Sequence, residues 1–167
     1  MTIRYGAVDA HYPDEGARAA LVVATEPRFA TLVEERVATV SAVPAYRPGF
    51  FFERELPAIR AVLATTAPVD LLVVDGYVDL DPDGRPGLGA RVHAETGRPV
   101  VGVAKTAFRS ATHAVPVVRG TGDRPLYVTS AGIPVAEAAA LVSAMAGEHR
   151  IPDALRRVDK LARSVPG

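Results

Sequence analysis

The sequence predicts a mixed α/β fold: a three-stranded antiparallel meander, then parallel strands, with helices flanking the sheet. Two observations carry this. The first 40 residues hold three apolar segments joined by short turns, and turns that short join antiparallel neighbours. Farther on, the apolar runs 69–74 and 100–104 bracket a helical segment, the strand–helix–strand alternation of a parallel unit.

Each element has its own signal. Residues 3–10 are short and apolar and run into the turn-like His11-Tyr12-Pro13-Asp14-Glu15-Gly16, so a strand ends near Asp9. Residues 19–25 make a second strand, and Glu26-Pro27-Arg28 turns the chain into a third over 30–40. After a Pro/Gly loop at 43–49, a helix begins near 53–57, with Pro57 in its first turn, where a missing N–H is tolerated; Ile59, Val62 and Leu63 supply its apolar stripe. The run at 69–74 is nearly continuous, as in a strand buried on both faces. A short helix from Leu88 ends at Gly97 with Pro99 beyond, and 100–104 is the next strand. Residues 107–124 show no regular pattern, 126–129 form a last strand, and helices over 134–146 and 152–163 close the chain.

Composition narrows the function. A length of 167 residues suits one domain, 1–167. With no cysteine there is no disulfide, thiol nucleophile or thiolate metal site. No apolar run is long enough to span a bilayer and the first residues lack a signal-peptide core, so a cytoplasmic location is expected. Lys+Arg 19 against Asp+Glu 19 gives zero net charge, which counts against a generally basic nucleic-acid binder. That balance hides an asymmetry: residues 1–90 carry 8 basic and 13 acidic side chains, and residues 91–167 carry 11 and 6. An acidic half for a cation and a basic half for phosphates would suit phosphodiester cleavage; scattered solvated charge is the plain alternative. Only two of the 19 cations are lysines, Lys105 and Lys160.

Asp9 and Asp75 each end a predicted buried strand, on the edge where ligands gather in open α/β sheets. Either could be a simple turn residue. Two on adjacent strands would repel, and Mg²⁺ is the usual way to neutralise such a pair. Glu55, at the core-facing edge of its helix, supplies a third acid unless it only complements the helix dipole. Three oxygen donors suit metal-assisted phosphodiester hydrolysis. Lys105 directly follows a strand on the same edge, either to meet a phosphate or to snorkel into solvent. Asp79-Leu80-Asp81-Pro82-Asp83-Gly84 opens like a calcium loop, but Ala90 stands where the bidentate glutamate belongs, so it reads as an acidic turn. His11 lies two residues beyond Asp9 and would face the same way if the strand continued.

Read in order, these residues resemble endonuclease V, the family that nicks nucleic acid near deaminated purines. The likeness lies in Gly6-Ala7-Val8-Asp9-Ala10-His11-Tyr12, Tyr46-Arg47-Pro48-Gly49-Phe50-Phe51-Phe52-Glu53-Arg54-Glu55, Leu71-Leu72-Val73-Val74-Asp75-Gly76, Gly102-Val103-Ala104-Lys105 and Arg150-Ile151-Pro152. The resemblance implies a ribonuclease H-like fold and Mg²⁺-dependent hydrolysis 3′ to inosine in DNA or RNA, with Mn²⁺ as a substitute and a monomer as the working unit. It implies metal binding by Asp9, Asp75 and Glu55, catalysis by these with Lys105, a base-separating wedge at Tyr46, Arg47 and Pro48, and a close backbone approach to the flipped base at Gly49. The sequence departs from the family at Gly132-Ile133, where a water-positioning histidine is usual, at Asp75-Gly76-Tyr77-Val78, and in a shortened 106–125 segment. These departures imply slower or altered cleavage. The alternative is a relative that keeps the fold and binds nucleic acid or another partner without cutting.

Overall fold

The computed structural model describes residues 2–12, 16–41 and 52–164. Seven strands form one sheet in the order β3-β2-β1-β4-β5-β7-β6. β1 (Tyr5–His11), β2 (Ala17–Ala24) and β3 (Glu34–Val40) are the antiparallel meander. α1 (Phe52–Leu63) leads to β4 (Leu71–Asp75), and α2 (Leu88–Thr96) to β5 (Val100–Ala104). β4 runs parallel to both β1 and β5. β6 (Val115–Val117) and β7 (Leu126–Ala131) add antiparallel strands, and α3 (Val135–Ala144) and α4 (Asp153–Arg163) follow.

Alternation along the strands sorts the core into two layers. Ala7, Val22, Val73, Val101 and Val128 face α3 and α4, with Val142, Leu155 and Val158 packed against them. Val8, Leu21, Leu72, Val74 and Val100 face α1 and α2, meeting Leu56, Ile59, Val62 and Val92. The helices therefore cover both faces and leave the carboxyl-terminal edge of β1, β4 and β5 open. Among the described residues no helix is long and apolar enough to cross a membrane.

Three local expectations change. The third strand begins at Glu34 rather than residue 30, because the Glu26 carboxylate accepts the backbone N–H groups of Arg28 at 2.8 Å and Ala30 at 2.5 Å and extends the turn. Phe29 there takes a left-handed φ of 53°, held by burial and an edge-on contact with Tyr5 at 6.3 Å. Pro57 lies inside α1 rather than in its first turn. β6 is a strand that 107–124 did not announce, three residues long and broken in pattern by Pro116 at the sheet edge. Gly97 ends α2 in the left-handed conformation its sequence predicts, with φ 67°.

Candidate active site

The site is built by strand register. The last paired residues of β1 and β4 are Val8 and Val74, so the next residues along, Asp9 and Asp75, stand side by side on strands about 4.8 Å apart. Asp75 pairs with Val103 on β5, which brings Lys105 to the same edge just past the strand. Asp9, Asp75 and Lys105 line a small cleft with Val8, Leu155 and Val158. Glu55 comes from the start of α1 and, with Asp75, borders a wider cleft of about 590 Å³ whose walls include Tyr77, Leu80, Arg85 and Phe108. Asp75 is the seam between the two clefts.

The loop after Asp75 is fixed from below. Val78 N–H donates to Thr129 Oγ1 at 2.8 Å, and Gly76 N–H to Val103 O at 2.9 Å. Gly102 makes this possible: a Cβ there would lie 2.7 Å from Gly76 O, 2.7 Å from Thr129 Oγ1 and 2.9 Å from Val78 N. On the other side Tyr77 Oη donates to Thr106 O at 2.8 Å, and its ring lies 5.9 Å from that of Phe108. Arg150 donates to the carbonyls of Lys105, Arg124 (3.2 Å) and Pro125 (2.9 Å), pinning the backbone that carries Lys105.

The electrostatics follow from crowding. Burial, then the neighbouring Asp75 and a shared hydrogen bond with Asp159, push the Asp9 carboxyl up to about 7, although Ala10 N–H donates to its Oδ1 at 2.9 Å. Burial, then Asp9 and Asp75, push Glu55 up to about 8. Asp75 keeps an open edge to solvent, yet the protein packed around it raises its carboxyl, with Lys105 and Arg163 pulling the other way. Asp159 was missed by the sequence reading. Burial raises its carboxyl, but hydrogen bonds from Arg163 (3.0 Å) and from the proton on Asp9 bring it below the ordinary range. Only the helical spacing of Leu155, Val158 and Ala162 could have hinted that Asp159 sits at the margin of the buried face.

Of the sequence-predicted residues, Asp9, Glu55, Asp75 and Lys105 come together; Tyr46, Arg47, Pro48 and Gly49 lie outside the described residues. Ile133 does not join them. Ala131 pairs with Val100 at the start of β5, and a Cβ on Gly132 would lie 3.1 Å from Pro99, so Ile133 stands at the opposite sheet edge, packed against the α3/α4 core. The expectation that isoleucine there deprives the acids of a water-positioning group is therefore corrected. Asp79–Gly84 is an acidic turn, its Asp81 Oδ1 already accepting the N–H groups of Asp83 (2.9 Å) and Arg85 (3.1 Å).

The acids suit a hard divalent cation. They are oxygen donors that raise one another's proton affinity, the repulsion such an ion relieves. Among the described residues no three acid, histidine or cysteine groups are placed so as to hold a metal ion together. Mg²⁺ characteristically takes only one or two carboxylates and keeps water on its remaining positions, so it does not require a three-acid group.

Comparison with known proteins agrees with this geometry. The family model for Endonuclease V matches residues 3–123. The endonuclease V of Pyrococcus horikoshii is 32% identical over 162 residues, covering 96% of this chain and 73% of its own. That of Streptomyces avermitilis is 30% identical over 184 residues, covering 97% and 80%. A crystal structure of endonuclease V from Streptomyces avermitilis superposes with a TM-score of 0.81 at 31% identity, over 97% of this chain and 80% of that one. The Ciona intestinalis endonuclease V, crystallised with a 23mer DNA containing an inosine, shares the fold with a TM-score of 0.81 at 17% identity, over 97% and 84%.

Proposed function

The chain belongs to the endonuclease V family, a family of nucleases, and we propose that it is a Mg²⁺-dependent endonuclease hydrolysing a phosphodiester 3′ to inosine or deoxyinosine in nucleic acid. The observation that carries this reading is the meeting of Asp9, Glu55 and Asp75 with Lys105 at one open sheet edge. The inosine-containing DNA held by the Ciona intestinalis protein of the same fold supports nucleic acid as the partner.

Asp9 and Asp75 would hold the cation, with Glu55 beside them and Asp159 orienting Asp9 through their shared hydrogen bond. When bound, Mg²⁺ supplies the positive charge that makes water a better nucleophile and steadies the leaving oxygen. Glu55, ionised once the charge of Asp9 and Asp75 is offset by the cation, would accept a proton from water as its oxygen bonds to phosphorus, while the phosphorus–oxygen ester bond breaks and the leaving oxygen takes a proton from solvent. Lys105, beside Asp75, places a compact charge against the phosphate. The wide cleft beside Glu55 gives an extruded base room between Tyr77, Phe108 and Leu80. Extrusion costs a few kcal/mol, least at a weakened pair, and Tyr46 with Arg47 and Pro48 would fill the gap it leaves, Gly49 letting the backbone come close to the flipped base.

The non-cleaving alternative drew on Ile133 and on the shortened 106–125 segment, and the position of Ile133 at the far edge removes the first of these supports. Incubation of the protein with Mg²⁺ or Mn²⁺ and deoxyinosine DNA or inosine RNA, beside Asp75→Ala, tests the reading. Nicking one phosphodiester 3′ to the lesion that vanishes in the variant is expected; no Asp75-dependent nicking of either substrate overturns it.

A further inference from the structure

The edge that carries the acids also carries a buried arginine side chain with no partner among the described residues. Arg18 is 7% exposed, its Nε is enclosed with no hydrogen-bond acceptor, and among the described residues its side chain forms no ion pair. The enclosed Nε lacks an acceptor, while Nη1 and Nη2 are not enclosed and can meet an anion arriving from outside.

The register shows where that anion would lie. Arg18 pairs with His11 on β1 and with Thr39 on β3. Direct antiparallel partners project to one face with Cβ atoms about 4.5–5.5 Å apart. Ala20, two residues on and opposite Asp9, belongs to the core layer of Leu155 and Val158, so the whole row His11–Arg18–Thr39 faces the α4 side, as Asp9 does. β1 does continue to His11, which sets the row about 7 Å along the strand from Asp9. His11 is half-buried and Thr39 exposed. Glu35, the acid on that face of β3, is committed to Arg157 at 2.5 Å. An imidazole, a guanidinium and a hydroxyl thus stand in line across three strands, a donor set that matches the oxygens of a phosphodiester.

We propose that His11, Arg18 and Thr39 form a subsite for a backbone phosphate flanking the one that is cleaved. This rests on the nuclease reading for its ligand and adds a place where the strand is gripped independently of the base. Such a contact strengthens binding to every sequence alike and contributes to its salt dependence.

The test is a fluorescence-anisotropy titration of wild type, Arg18→Met and Arg18→Lys, without Mg²⁺, on inosine-containing and undamaged oligonucleotides across a salt series, with thermal midpoints recorded alongside. Arg18→Met is expected to raise Kd about 5- to 20-fold on both oligonucleotides and flatten the log–log salt slope by about 0.7–0.9. Its midpoint stays the same or rises, since an enclosed Nε without an acceptor has gone and no ion pair is lost with it among the described residues, and Arg18→Lys recovers part of the affinity. Unchanged Kd and slope overturn the proposal, as does weaker binding that comes only with a lowered midpoint. Should Arg18→Met fail to fold, the double variant His11→Gln/Thr39→Val decides by the same titration, with a several-fold rise in Kd expected and no change counting against it. Nicking separates the two readings. Arg18-dependent binding without Asp75-dependent nicking sinks the nuclease alone, and nicking with Arg18-independent binding sinks the subsite alone.

Discussion

Asp159 reaches the acids from α4, and its carboxylate accepts the proton that Asp9 retains. Removing it takes away both the hydrogen bond and a like charge, so Asp9 moves back towards the ordinary carboxylate range but loses its orientation. Groups that orient a metal-binding residue typically matter 10- to 100-fold. Asp159→Ala is therefore expected to cut nicking by about that factor, most strongly at limiting Mg²⁺, in a rate-against-Mg²⁺ series; a rate within twofold of wild type at every concentration would remove Asp159 from the site. Ile133 gives the opposite expectation. It sits beyond the start of β5, five strand residues from Lys105, or about 17 Å. Ile133→His should leave the nicking rate within about twofold, while a clear rise would show that the far edge communicates with the acids. The two residues also mark what a linear reading can see. Asp9, Asp75 and Lys105 were legible because each ends an apolar run, and the end of a strand is a position that sequence defines. Asp159 was not, because its partner lies 150 residues away and helical phase alone separates a marginal acid from a solvated one.

At the scale of elements, the site depends on how closely the loop after β4 lies over β5 and β7. Two of the three atoms that a Cβ on Gly102 would meet, Gly76 O and Val78 N, are backbone, which cannot swing aside as a side chain can. Gly102→Ala must shift the loop that follows Asp75, at a cost of about 1–3 kcal/mol by analogy with overpacked cores. A lowered thermal midpoint with nicking reduced at least tenfold is expected; wild-type values for both would show that the loop has slack. The strands of this region were legible as apolar runs of β length, and the Gly97 helix stop as turn chemistry. β6 and the late start of β3 were not. β6 is three residues of edge strand whose pairing with β7 is fixed by tertiary packing, and the turn before β3 is lengthened by a Glu26 carboxylate that folds back onto the chain. In both, side-chain bonds or packing from elsewhere outweigh local propensity.

Across the whole molecule, zero net charge coexists with a strongly uneven field, and the acid edge is where folding itself is opposed. Asp9 and Glu55 hold their protons up to about 7 and about 8 in the fold, against ordinary values of 3.8 and 4.5. The folded state therefore binds more protons than the unfolded chain between those limits, and unfolding free energy falls as pH rises wherever that is so. Any stabilisation from these two groups is present in full below pH 4 and is lost as pH climbs through 7 to 8. Asp159 has the opposite sign, its contribution being lost towards low pH, but it is less enclosed and offsets little of the change. Metal-free protein is expected to lose about 5 °C or more of its thermal midpoint between pH 5.5 and pH 8.5. Millimolar Mg²⁺ should restore much of this at pH 8.5 and little at pH 5.5, because the cation binds the ionised acids and competes with their protons. The double variant Asp9→Asn/Glu55→Gln should flatten both the pH slope and the Mg²⁺ response. Scanning calorimetry of the two proteins at the two pH values, with and without Mg²⁺, makes the comparison. A wild-type midpoint that is flat or rises with pH would mean that the acids ionise without opposing the fold, and would take away the electrostatic reason for a cation at this edge.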